Sequence, residues 1–67
     1  MTKITFYNKT DIIVEDDFNN ILNKMEKAAS PHSFIQLTQN DSNSYTPNIA
    51  IRYNDIARVE TIIKENE

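Results

Sequence analysis

Not one of the 67 residues is glycine. Glycine reaches left-handed backbone angles without steric cost, so a chain without it must turn mainly on Asn and Asp, the next most tolerant residues. The same absence removes the phosphate-cradling P-loop, the dinucleotide fingerprint and the kinase glycine-rich loop. Each of these needs the backbone to approach a phosphate more closely than a side chain permits. The chain is therefore expected to be a run of short elements divided at Asn- and Asp-bearing turns.

The elements follow from periodicity. Residues 3–7, KITFY, alternate, with Ile4 and Phe6 on one side, and read as a half-buried strand. NKTD supplies a turn, and Ile12 and Val14 form a second short strand that completes a hairpin. Phe18, Ile21, Leu22 and Met25 then recur at helical spacing, which predicts a helix at about 16–29. Asp16 is its expected N-cap, the acidic triplet Glu15-Asp16-Asp17 complements the dipole, and Ser30-Pro31 ends it. Residues 33–39 and 48–53 read as strands three and four, separated by a polar loop at 40–47. Tyr53-Asn54-Asp55 forms a corner, with Ile56 as its inward plug, and about 57–64 is strand five. Residues 65–67 read as a flexible tail.

The whole chain, 1–67, is thus expected to be a single small α+β domain ordered β-β-α-β-β-β. Two architectures fit. One is a small twisted antiparallel sheet with one packed helix; the other is an SH3-like or Sm-like barrel, in which a tight helical turn joins the last two strands. The expected inward set is Ile4, Phe6, Ile12, Val14, Ile35, Leu37, Ile49, Ile51, Ile56, Val59 and Ile63. A chain of this length lies near the lower limit at which one core sustains a fold, so a homo-oligomer is a reasonable expectation.

Composition narrows the function. There is no cysteine, so neither a disulfide nor a zinc thiolate is available. The opening MTKITFYNK is too polar for a secretory leader, and no apolar run approaches the ~18 residues of a membrane span. A cytoplasmic protein with no membrane partner is the expectation. The net charge of −3, with seven basic residues, opposes broad nucleic-acid affinity, which depends on Lys and Arg neutralising phosphates. The single histidine, His32, has no nucleophile motif around it and reads as a surface residue. Three consecutive acids at a helix start point apart, so they cap the helix rather than converge on a metal. No catalytic residue, metal site or cofactor is expected.

The outward strand positions carry the remaining information. Tyr7, Phe34, Arg52, Arg58 and Ile62 face away from the expected core. Aromatics beside arginines are enriched at protein interfaces, and the same types stack bases and grip phosphate. A bland alternative is that a second layer of the fold covers Phe34 and Ile62. The expected partner is a protein, either a host protein or a second copy, with nucleic acid the less favoured alternative.

One outline resemblance bears on this. The order strand, strand, acidic-capped helix, strand, strand, closing on the box Ile49 or Ile51, Asn54, Ile56, Val59 and Glu60, resembles short proteins of phages and low-GC Gram-positive bacteria. Some small acidic phage proteins inhibit host defence, anti-CRISPR proteins among them. The resemblance implies a phage or mobile-element accessory protein that inhibits a host protein by steric blocking; it carries no residue assignment.

Overall fold

The computed structural model describes residues 1–30, 32–41 and 44–63. The expected tail at 65–67 and Pro31 at the end of the helix lie outside the described residues. The fold is α+β. In chain order it contains β1 Thr2–Phe6, β2 Asp11–Val14, α1 Phe18–Glu26, β3 Phe34–Asp41, β4 Ser44–Arg52, a 3-10 turn η1 Tyr53–Asp55, and β5 Ile56–Thr61. The five strands form one open antiparallel sheet in the order β4-β3-β2-β1-β5, so β4 and β5 are its edges. No helix among the described residues is long and apolar enough to cross a membrane.

Alternation sets the buried face. Ile4 lies between Ile12 of β2 and Val59 of β5, and Ile35 and Leu37 face Ile51 and Ile49 of β4. Ile4, Val14, Ile35, Leu37, Ile51 and Ile56 are buried with Ile21 of α1. Phe6, Ile12, Met25, Ile49 and Val59 pack partly buried around them. One member of the expected inward set and one residue of the helix's apolar stripe stay outside it. Ile63 is 83% exposed, because strand pairing ends at Thr61, and Leu22 is 40% exposed on the flank of the helix.

Two bulges shape the edges. In the β1 and β5 pair, Thr5 faces Arg58 while Phe6 faces Ile56, so Ala57 is an extra residue. That insertion resets the alternation and lets Ile56 and Val59, three residues apart, both point inward. In the β3 and β4 pair, Leu37 faces Ile49 and Gln39 faces Thr46, which places the extra residue within Pro47-Asn48. Proline has no N–H to give a ladder and is tolerated at a bulge on an edge strand. Thr38 Oγ1 donates to Pro47 O at 2.9 Å and fastens the bulge.

The stretch 40–47, expected as a polar loop, is mostly strand. β3 runs to Asp41 and β4 starts at Ser44, with Asn40 facing Tyr45. The long hairpin helps to give the molecule its 42 × 22 × 22 Å extents.

The helix is shorter than the expected 16–29, and its N-cap is Asp17 rather than Asp16. Asp16 is turned to a different task. Its Oδ1 accepts the Thr38 N–H at 2.8 Å, and its Oδ2 lies 3.4 Å from Lys24 Nζ. Lys24 Nζ also donates to Gln36 O at 2.6 Å. Glu15 N–H donates to Thr38 O, and Asn40 Nδ2 donates to Glu15 Oε2. β2 and β3 pair by register only where Val14 faces Gln39. Asp16 and Lys24, from the crossover and the helix, thus satisfy backbone groups on the β2 side of β3 beyond that pair.

The sheet is also strongly bent. In a flat sheet β4 and β5 would lie four strand spacings apart, roughly 19 Å at ~4.8 Å each. They are joined by η1, whose three residues rise only about 6 Å at ~2 Å each. The end of β4 must therefore curl toward the start of β5. Tyr53 N–H donates to Ser33 O, and Tyr7 N–H donates to Asp55 O, which fastens η1 to the start of β3 and to the turn after β1. Ile56 follows η1 directly and is 8% exposed, as an inward plug requires.

Candidate binding face

The bend brings the turn after β1 close to the paired ends of β3 and β4. Between them lies an open groove of about 660 Å³. Tyr7, Asn8 and Thr10 line it from the turn after β1, Phe34 and Arg52 from β3 and β4, and Asp55 from η1, beside Tyr7.

Each wall has a local cause. The turn at residues 7–10 is closed by Phe6 N–H donating to Thr10 O and Lys9 N–H donating to Phe6 O, both at 2.9 Å. Asn8 Oδ1 accepts from the Thr10 N–H at 3.1 Å and from Thr10 Oγ1 at 2.7 Å. The left-handed position expected of an Asn or Asp is instead taken by Lys9, with φ 72°. Asn8 is thereby free to supply side-chain bonds. The turn leaves Tyr7 72% exposed at the groove mouth.

On the facing wall, Phe34 and Arg52 are direct cross-strand partners. The Arg52 guanidinium lies 5.6 Å from the centroid of the Phe34 ring. That is within the range of a cation–π contact, worth about 0.5–1 kcal/mol at an exposed site. Phe34 remains 60% exposed, so no second layer covers it. Arg52 has no carboxylate partner among the described residues.

The other two expected face residues lie elsewhere. Arg58 faces Thr5 on the β1 and β5 pair, and its guanidinium bonds Glu60 Oε2 at 3.0 Å. Lys3 sits between Glu60 at 3.8 Å and Asp11 at 4.0 Å, which completes a row of alternating charges across β5, β1 and β2. Ile62, 37% exposed, lies past the far end of β5, where its N–H donates to Met1 O. Of the five residues, the fold gathers Tyr7, Phe34 and Arg52 around one groove and places Arg58 and Ile62 outside it. Asn8, Thr10, Asp55 and Ala50 also line the groove, and none of them was an expected member. The NKTD turn read at residues 8–11 is the one sequence signal that covers part of this added lining.

The acids and the histidine show no convergent geometry. Among the described residues, no three His, Asp or Glu side chains gather as a metal site would require. His32 is exposed, and its backbone N–H donates to Ser30 Oγ. Compared with protein-family models, with curated proteins and with solved structures, the chain finds no match in any of the three.

Proposed function

We propose that this is a non-enzymatic protein-binding domain whose binding face is the groove bordered by Tyr7, Phe34 and Arg52. One observation carries the reading. Two aromatic rings, 72% and 60% exposed, flank a groove beside an arginine that has no carboxylate within 4.0 Å among the described residues. Tyrosine and arginine are over-represented among residues that dominate binding energy, because each offers a large apolar surface with a polar end. Rings already held by a turn and a strand pair lose little freedom on binding. The mode of action is steric occupation. In the accessory-protein reading implied by the resemblance, the target is a bacterial host protein, and inhibition follows from covering its working surface.

Within this proposal the bent sheet is a partly closed barrel of the SH3-like or Sm-like kind. The strand order, the single 3-10 turn between β4 and β5 and the inward Ile56 support it. That architecture gives the nucleic-acid alternative its one specific support, since exposed rings beside an arginine on a small barrel suit base stacking. The charge pattern opposes it: Lys3, Lys24 and Arg58 all have carboxylates within 4.0 Å. A phosphate-tracking groove needs cations free for the backbone.

Two measurements separate these readings. Tagged protein and its Tyr7→Ala/Phe34→Ala variant are used to capture proteins from a bacterial host extract. The proposal expects a host protein retained by the parent and lost by the variant; equal retention overturns the assignment of the face. Binding to single-stranded DNA and RNA is then measured across a salt series. The proposal expects no binding at physiological salt. Tight binding that falls steeply with salt and disappears in Arg52→Ala would establish the nucleic-acid reading instead.

A further inference from the structure

The two edges of the sheet differ in a way that points to a second copy of this chain. Hydrogen-bond phase settles which backbone groups each edge presents. Tyr53 N–H donates to Ser33 O, in the register that pairs Phe34 with Arg52 and Ile35 with Ile51. Bonded pairs alternate along an antiparallel ladder, so Ile51 and Ile49 bond to β3. Ala50 and Arg52 then direct their N–H and C=O groups away from β3, to the open edge. The β3 side confirms the phase. Gln36 O is taken by Lys24 and Thr38 N–H by Asp16, both from the side opposite β4.

The open edge at residues 48–52 carries few of the usual defences. Edge strands are normally protected by charges or prolines, because unpaired N–H and C=O groups template pairing with another chain. β5 bears Arg58 and Glu60. β4 reads SYTPNIAIR, with no charge before Arg52 and its only proline at the bulge, where it limits the open segment without covering it. Asn48, Ala50 and Arg52 are all exposed, and no partner for the Ala50 backbone groups occurs among the described residues.

We propose that two copies pair antiparallel through β4 about a two-fold axis at Ala50. The segment is self-complementary. Ala50 of one copy faces Ala50 of the other in a hydrogen-bonded pair, and each small side chain lets the backbones close. Each Arg52 falls opposite Asn48 of the other copy, beside the Gln36 that already donates to Asn48 Oδ1. The two Arg52 residues lie four strand positions apart, about 14 Å at ~3.4 Å per residue, beyond the Debye length at physiological salt. Like charges therefore do not oppose the pairing. A register shifted toward Arg52 would bring the arginines closer together, and one shifted toward Asn48 would draw Pro47, which has no N–H to give, further into the ladder. The two-fold axis runs through the sheet, so both Phe34 and Arg52 pairs lie on the same continuous outer face. This inference does not depend on the groove being a binding site.

The chain has no cysteine, so single-cysteine variants report on this edge without interference. The full chain is studied by sedimentation, and Ala50→Cys is compared with Thr61→Cys on the β5 edge under mild oxidation. The inference expects a concentration-dependent dimer of about twice the 7.8 kDa chain mass. It also expects a disulfide-linked dimer that forms at least tenfold faster with Ala50→Cys than with Thr61→Cys, and sedimentation as a monomer for Ala50→Lys, which sets two ammonium groups against each other. Circular dichroism verifies that Ala50→Lys is folded; should it not be, Ala50→Pro, which removes only the outward N–H, takes its place. A parent that is monomeric at high micromolar concentration overturns the inference, as do equal cross-linking rates at the two edges or a dimer that survives the Ala50 substitution. Ala50 also lines the groove, so its variants are read for the dimer alone, whereas Tyr7→Ala lies off this edge and is expected to dimerise like the parent even where groove binding is lost.

Discussion

The outer faces of the two strand pairs handle charge in opposite ways. On β1 and β5, Asp11, Lys3, Glu60 and Arg58 alternate in sign across the sheet, and each cation has a carboxylate within 4.0 Å. On β3 and β4, Arg52 lies over the Phe34 ring beside an open groove. Both faces are strand surfaces of one sheet, and each has one arginine that looks equivalent in the sequence. Arg58 has a glutamate two residues ahead on the same side of its strand, and Arg52 has none. A charge whose partner lies within its own face is saturated, whereas one stacked on an exposed ring keeps its hydrogen-bond donors for another molecule. The comparison teaches that residue type selects candidates for binding, and local neutralisation sorts them.

The most severe way to break this contrast is at the residue that joins the two faces. Ile56 follows η1 from β4 and faces Phe6 of β1. Ile56→Asp buries a carboxylate without a partner, which costs several kcal/mol on the scale of the stability of a small domain. Circular dichroism and thermal melting are expected to show a chain unfolded at room temperature; a cooperative melt close to that of the parent would mean that the start of β5 is wrongly placed.

A smaller effect separates the regions. Asp16→Ala removes the acceptor for Thr38 N–H and the partner of Lys24, at a cost of about 1–3 kcal/mol. Amide exchange is expected to quicken around Gln36 and Thr38 while the amides joining β1 to β5 change less. Uniform loss of protection would show that the clasp supports the whole sheet rather than one side of it.

The groove wall offers a change in the other direction. Lys9 holds φ 72°, an angle that costs a side chain roughly 1–2 kcal/mol. Lys9→Gly relieves it and is expected to raise stability by about 0.5–1 kcal/mol after the greater chain entropy of glycine is deducted. Urea denaturation measures the gain, and a loss would mean that the lysine side chain contributes more than its backbone angle costs.

The smallest effect tests the two arginines directly. A double-mutant cycle of Phe34→Ala with Arg52→Ala is expected to give a coupling of about 0.5–1 kcal/mol. The Arg58 and Glu60 cycle, an exposed pair, is expected to give about 0.2–1 kcal/mol and to vanish at high salt. Persistence in salt is what distinguishes the stacked arginine from the ion-paired one.

Much of the fold is legible in the sequence, because a period of two marks every strand except the outer parts of β3 and β4 and the bulged start of β5. A period near 3.6 marks the helix, and Tyr53-Asn54-Asp55 marks the corner. What escapes depends on partners distant in sequence. The bulge at Ala57 exists only in relation to β1, so the three-residue spacing of Ile56 and Val59 looks irregular until the register is known. Asp16 has the composition and position of an N-cap, but Thr38, 22 residues away, takes its carboxylate. Tyr45, Thr46 and Pro47 are all exposed and encode no alternation, and the Asn, Asp and Ser content of 40–47 reads as a loop although the backbone is strand to Asp41 and again from Ser44. Ile63 prolongs an alternation beyond the end of the ladder. In the candidate site, the outward aromatics and arginines are visible in the sequence. Their division into groove and charge row is not, because it depends on the bend of the sheet and on the pairing of β1 with β5.

The central claim is that the groove side, and not the charge-paired side, carries binding. Retention of a host protein is therefore compared between two double variants, Tyr7→Ala/Phe34→Ala and Arg58→Ala/Ile62→Ala, each first verified as folded. Loss of at least tenfold in the first with near-parent retention in the second is the predicted result. Retention by the first and loss by the second would contradict the account and move the binding face to β5.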